Sequence, residues 1–144
     1  MRVYLDTSVC NRPFDDQTQA RIWLETLAFA FILQLIQAGE AEFVGSAVLD
    51  YENRRNPHAL RKRWVTRCLQ LAAYGQPVDE AVQRRAVDLE QTGLAAIDAL
   101  HFACAEAAAC DYFITCDDRA RRRYRGALTA LNPVEFVLLV TGDQ

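Results

Sequence analysis

A six-residue stretch at the start of the chain, Val3-Tyr4-Leu5-Asp6-Thr7-Ser8, restricts the fold more than any other. An apolar run without polar alternation stops at an acid and two hydroxyl residues. Such a run suits a short strand covered on both faces, as in the middle of a parallel sheet. Ligands of open α/β sheets sit beyond the carboxyl ends of the strands, which makes Asp6 a candidate for chemistry. Asp6 also qualifies as an N-cap for the segment after it, since Asp, Ser and Thr all serve there.

The pattern recurs. Tyr112-Phe113-Ile114-Thr115 is a second apolar run, ending at Asp117-Asp118, while Glu42 to Gly45 and Leu128 to Leu131 read as two more short strands. Helices fill the intervals. Asp15-Asp16-Gln17 opens one that runs to about Gln37, with Gly39 as its stop. Ser46 caps another, carrying Asp50 and Glu52 and ending before Pro57. Asn56-Pro57 reads as cap and first-turn proline of a helix reaching Tyr74, and Asp79 caps a helix from Glu80 to Thr92. Ala95 to Ala109 is helical in composition, Arg119 to Arg125 forms an arginine-dense helix, and Asn132-Pro133-Val134-Glu135 has the pattern of a capping box. Strands alternating with helices predict a parallel α/β sheet. No linker or repeat divides residues 1–144, so one domain is expected.

Composition narrows the class. Half of the residues are apolar, which excludes a disordered chain. No leader pattern precedes the first strand, and the longest apolar stretch, Leu27 to Ile36, falls short of a membrane span, so a cytoplasmic protein is expected. Five cysteines, an odd number with no C-x-x-C spacing, fit buried thiols in a reducing compartment better than disulfides or zinc. The net charge of −3 excludes a uniformly basic surface. Fifteen of the sixteen basic residues are nevertheless Arg, the side chain favoured for bidentate phosphate contact. The first long helix has a stripe of Trp23, Leu27, Phe31 and Leu35, with Leu24, Phe29, Ile32 and Ile36 on its other faces. Apolar surface on so many sides suggests one face in the core and one against a partner.

Asp98 sits among Ala, Leu, Ile, Cys and Phe, with Phe102 and Ala105 as its helical neighbours, off any charged face. A buried carboxylate there must be paired, protonated or metal-bound, unless it belongs to the first turn and serves the helix dipole. Glu52, in a polar run, has a solvated helix face as its simplest explanation. Acids at two strand ends of one parallel sheet would lie close together and need a cation. Carboxylates without His or Cys suit Mg²⁺ or Mn²⁺. His101, three residues after Asp98, reads as a packed helix histidine rather than a ligand.

Taken in order, Leu5-Asp6-Thr7-Ser8, Ser46 with Glu52 six residues later, Ile97-Asp98-Ala99-Leu100-His101, Asp111 to Asp118 and Asn132 to Phe136 resemble the PIN domain family, including its VapC-type toxins. The resemblance spans essentially the whole chain. It implies a three-layer α/β/α fold around a parallel sheet of about four to five strands, and a Mg²⁺- or Mn²⁺-dependent endoribonuclease. By position it implies Asp6, Glu52, Asp98 and Asp117 as the catalytic acids, with Asp6, Asp98 and Asp117 as metal ligands. Asp118 competes with Asp117, and Asp50 with Glu52. Thr7, Ser8 and Thr115 stand where supporting polar residues belong. RNA is the implied substrate, and an acidic pocket needs basic residues at its rim. Arg119, Arg121, Arg122 and Arg123, then Arg54 and Arg55, are the candidates, with a solvated helix face as the alternative for each cluster. Asn11 and Arg12 either contact substrate or form the turn at Pro13. The implied partners are an antitoxin and a second copy of the chain through the Arg21–Ile36 helix. A catalytically inactive PIN-like assembly module is the competing reading. A phosphatase using Asp6 as nucleophile lacks a second acid at position 8, and no glycine-rich loop follows the first strand to bind a dinucleotide.

Overall fold

The computed structural model describes residues 1–142. Strand β1 (Arg2–Leu5) is the middle of a five-stranded sheet, and its Val3, Tyr4 and Leu5 are fully covered. Its neighbours are β2 (Glu42–Ser46) and β4 (Tyr112–Ile114), and β3 (Tyr74–Gln76) and β5 (Thr129–Leu131) form the edges. The order is β3-β2-β1-β4-β5, and every pairing is parallel. The sheet expected from the apolar runs is therefore present, with helices over both faces.

The helices are α1 (Thr7–Cys10), α2 (Ala20–Gln37), α3 (Ala47–Arg54), α4 (Ala59–Leu69), α5 (Glu80–Glu90), α6 (Ala96–Ala107), α7 (Asp118–Arg123) and α8 (Pro133–Thr141). Three expected caps are in place. Ser46 accepts from the Leu49 N–H at 3.1 Å, Asp79 accepts from Val82 at 2.9 Å, and Asn132 and Glu135 exchange the reciprocal bonds of a capping box.

Three boundaries differ from expectation. Helix α2 starts at Ala20 rather than near Asp15, because Arg12–Phe14 forms a 3₁₀ turn and Asp16 folds onto the Thr18 N–H (3.0 Å) and hydroxyl (2.6 Å). Helix α4 starts at Ala59 rather than Pro57, because Asn56 accepts from the His58 N–H at 3.1 Å. Both are local Asx turns, which compete with helix initiation. That same helix ends at Leu69, and Tyr74-Gly75-Gln76 becomes the edge strand β3, paired to Val44–Ser46. An edge strand held by backbone pairing to one neighbour carries little side-chain signal.

Helix α2 buries Ile22, Ala28, Phe29 and Ile32, whereas Trp23 and Leu27 of the expected stripe are about half exposed. Its 18 residues have a mean hydropathy of 1.3, long and apolar enough to cross a membrane by composition, contrary to the estimate from the apolar run alone. Here it packs against α8, while α5 packs against α6. Phe113 of β4 stacks on Tyr4 (centroids 5.2 Å apart) and on Phe102 of α6 (3.8 Å), tying the sheet to that helix layer. All five cysteines are buried and unpaired.

The register sets the position of the acids. Leu5 lies opposite Ile114, the Asp6 N–H donates to the Ile114 carbonyl at 3.2 Å, and Thr115 donates to Leu131 at 2.9 Å. The chain thus leaves β1, β4 and β5 at one level, on the carboxyl edge.

Candidate active site

Asp6 and Asp117 leave their strands in the same way. Asp6 Oδ1 accepts from the Ser8 N–H (3.1 Å), the Ser8 hydroxyl (2.5 Å) and the Val9 N–H (3.4 Å), capping α1. Asp117 Oδ1 accepts from Arg119 (3.0 Å) and Ala120 (3.1 Å), capping α7. Each cap uses one carboxylate oxygen, so capping and a place in the cleft are compatible rather than alternative. Asp98 lies in the first turn of α6, and Glu52 lies near the end of α3. These four acids line a single cleft of about 560 Å³ at the carboxyl edge.

The cleft holds more negative charge than the protein balances. Burial pushes the Asp98 carboxyl up to about 6, and the charges of Asp117 and Asp6 add to the rise. Burial also raises Asp6, against the opposing charge of His101 and the Ser8 hydrogen bond. Glu52 behaves differently. Burial pushes it up, but the hydrogen bond and charge of His101, with Thr7, outweigh burial and hold it below the usual range. Among the described residues, no three His, Cys, Asp or Glu side chains stand close enough together to hold an ion as they are. As a donor set, Asp6, Asp98 and Asp117 are hard oxygen ligands of the kind Mg²⁺ and Mn²⁺ take, and their uncompensated charge fits a divalent cation.

The hydroxyl residues stitch the strand ends together. Thr7 Oγ1 donates to Glu52 Oε1 at 2.9 Å. Ser8 Oγ, besides donating to Asp6, accepts from the Cys116 N–H at 3.0 Å, and Thr115 Oγ1 accepts from the Asp117 N–H at 3.0 Å. Of the two adjacent acids, Asp117 lines the cleft. Asp118 instead faces the Arg21 guanidinium (2.6 and 2.7 Å) and Arg121 (3.0 Å), which hold its carboxyl far below the usual range. Asp50 lies outside the cleft, leaving Glu52 as the α3 acid within it.

None of the six arginines singled out from the sequence lines the cleft. Arg121 is committed to Asp118 and Glu135, Arg123 donates to the Gly93 carbonyl at 3.2 Å, and Arg55 lies over the Tyr51 ring. Arg119, Arg122 and Arg54 are exposed elsewhere. The basic and amide groups in the cleft are instead Arg12, Arg61, His58, His101, Asn11, Asn53 and Asn56. Asn11 and Arg12 were visible as a pair just after the first acid. Arg61 and His58 reach the cleft because α4 packs against α3, with Arg61 donating to the Phe14 carbonyl of the 3₁₀ turn at 3.0 Å. His101 also lines the cleft, so it is more than a packed helix histidine: it is buried, yet bonded to Glu52.

A family model for the PIN domain matches residues 3–126. No curated protein matches the sequence. Among solved structures, the chain is similar to the crystal structure of VapBC2 from Rickettsia felis bound to a DNA fragment from their promoter. The TM-score is 0.61 at 14% identity, over 92% of this chain and 98% of that one. It is also similar to PAE2754 from Pyrobaculum aerophilum, with a TM-score of 0.54 at 20% identity, over 97% of this chain and 88% of that one. At such identities the likeness is one of fold.

Proposed function

The chain belongs to the PIN domain family, whose members are generally nucleases, and on that premise we propose that it is a divalent-metal-dependent endoribonuclease, the toxin of a type II toxin–antitoxin pair. One observation carries the reading: Asp6, Glu52, Asp98 and Asp117, from four separate segments, line one cleft, and among the described residues no arginine or lysine pairs with Asp6, Asp98 or Asp117. Asp6, Asp98 and Asp117 would hold Mg²⁺ or Mn²⁺. A divalent ion there supplies positive charge against the oxygens of a phosphodiester during its hydrolysis.

The chain's own residues divide the remaining work. Ser8 ties the acid-bearing ends of β1 and β4 together through the Cys116 N–H, Thr7 ties the end of β1 to Glu52, and Thr115 braces Asp117. Arg61 and His58, on the same cleft, would take the RNA backbone nearest the acids, and the exposed Arg119, Arg122 and Arg54 would contact RNA outside it. Residues 1–144 act as one domain in the cytoplasm, where five free thiols persist.

Cleavage of single-stranded and structured RNA by the wild type, Asp6→Asn and Asp98→Asn, in Mg²⁺, Mn²⁺ and EDTA, tests the reading. Cleavage that needs the ion and both aspartates is expected. Equal activity in the three proteins, or activity indifferent to EDTA, rules it out.

A second reading, a PIN-like assembly module that turns over no substrate, is favoured by one observation. Trp23, Leu24 and Leu27 on α2, and Leu138 and Leu139 on α8, are all about half exposed or more, on two helices packed together. An antitoxin or a second copy of the chain would cover such residues in either reading, and light scattering reports a homodimer. Calorimetric titration with Mn²⁺ separates the two readings, because an assembly module shows no binding that Asp6→Asn abolishes.

A further inference from the structure

His101 is 2% exposed, and both of its ring nitrogens are engaged. Nδ1 lies 2.7 Å from the Tyr4 hydroxyl, which lies 2.7 Å from Ser46 Oγ, and Nε2 lies 2.5 Å from Glu52 Oε1. Ser46 is the N-cap of α3, the helix that carries Glu52. The path therefore leaves the start of α3, passes through β1 and α6, and returns to the end of α3. Glu52 accepts from His101 and Thr7 on the same oxygen, which leaves Oε2 beside the cleft without a donor among the described residues.

Donor arithmetic orients the chain. An ionised carboxylate only accepts, so Nε2 donates to Glu52. In a neutral imidazole Nδ1 then accepts from the Tyr4 hydroxyl, whose oxygen is left to accept from Ser46. Tyr4 is itself immobilised, fully buried and stacked on Phe113 in the central strand. A rigid sheet residue thus sets the ring, and the ring sets one oxygen of an acid on another layer.

We infer that His101 is a positioning residue for Glu52, anchored by the Tyr4 hydroxyl and presenting the free Glu52 oxygen to the acidic cleft. This role rests on the nuclease reading above. His101 touches neither substrate nor ion. It acts through Glu52, as partners of metal-site and catalytic carboxylates do.

Three variants separate positioning from packing. Gln at position 101 places its amide near where Nε2 lies and can still donate to Glu52, whereas the shorter Asn reaches only the Nδ1 side. Tyr4→Phe keeps the stacked ring and removes the hydroxyl alone. Mn²⁺ affinity by calorimetry and RNA cleavage are measured on each full-length protein, with folding checked by circular dichroism. His101→Asn is expected to lower kcat by roughly 10- to 100-fold. His101→Gln should recover most of that loss, and Tyr4→Phe should fall between them. Equal losses in the Gln and Asn variants, or a Tyr4→Phe protein with wild-type kcat, overturn the role. If both position-101 variants fail to fold, Tyr4→Phe decides alone. A wild type that neither binds Mn²⁺ nor cleaves RNA overturns the nuclease reading and this role together, whereas an active wild type with equal Gln and Asn losses overturns only this role.

Discussion

Two groups of acids in this molecule experience opposite electrostatics. Glu25 on α2 is only 1% exposed, less than any acid of the cleft, yet its carboxyl is held below the usual range. Burial pushes it up, but a hydrogen bond from Asn132 and the guanidinium groups of Arg12 (2.7 Å) and Arg21 (3.0 Å) outweigh burial. Asp98 is better exposed and has no such cation, so its carboxyl rises to about 6. Solvent exposure therefore does not set the state of Glu25 and Asp98; the supply of counter-charge does. Where the fold uses an acid as a strut, it brings its own arginine. Where it leaves carboxylates facing one another in a cleft, the cation must come from solution.

The largest test of this contrast is the removal of Glu25. Glu25→Ala leaves Arg12 poorly paired beneath α2 and is expected to cost about 3–5 kcal/mol in urea unfolding, as for other broken buried pairs. A loss under about 1 kcal/mol would dissolve the distinction. Next comes Asp98→Asn, which should lower metal-dependent RNA cleavage by roughly 100-fold, about 3 kcal/mol of transition-state stabilisation, and leave the fold intact. Third, Mn²⁺ at about 100 times its Kd should stabilise the wild type by about 2.7 kcal/mol and Asp6→Asn by much less, read as a shift in Tm.

Fourth, the two acids should give stability–pH slopes of opposite sign in the absence of metal. The folded carboxyl of Asp98 binds its proton more tightly than the unfolded one, so its contribution falls as pH rises from the ordinary 3.8 to about 6. Asp98→Asn should abolish that fall and be about 1–2 kcal/mol more stable than wild type at pH 7 without metal. The depressed Glu25 carboxyl acts the other way: its contribution is present above the ordinary 4.5 and is lost as pH falls below it. Parallel slopes in chemical denaturation across pH 3 to 7 for wild type and Asp98→Asn would count against the contrast. The smallest effect belongs to Asp118→Asn at the half-exposed Arg21 pair, expected to cost about 0.5–1 kcal/mol.

Much of this was legible along the chain because the signals are local. The apolar runs at Val3–Leu5 and Tyr112–Ile114 state their own burial, and the Ser46, Asp79 and Asn132 caps state where helices begin. The acids of the cleft were legible from their order. Where local signals competed, the reading failed: Asp16 and Asn56 start turns with the same side chains that start helices. Strand β3 was missed because Tyr74-Gly75-Gln76 is held through its backbone. Arginine density along the chain says nothing of direction, and Arg121 turns away to Asp118 and Glu135.

The sequence by itself determined the central strand and the acid that ends it, together with the order in which the other three acids follow. Those features depend on neighbours a few residues away. Only the tertiary structure decided which acids are neutralised and which are not. Asp117 and Asp118 are adjacent and identical in kind, yet Arg21, 97 residues from Asp118, claims one and leaves the other to the cleft. His101 became a partner of Glu52 in the same way, across 49 residues. Charge acts through space rather than along the chain, and in a dry interior the nearest opposite charge sets a carboxylate's state.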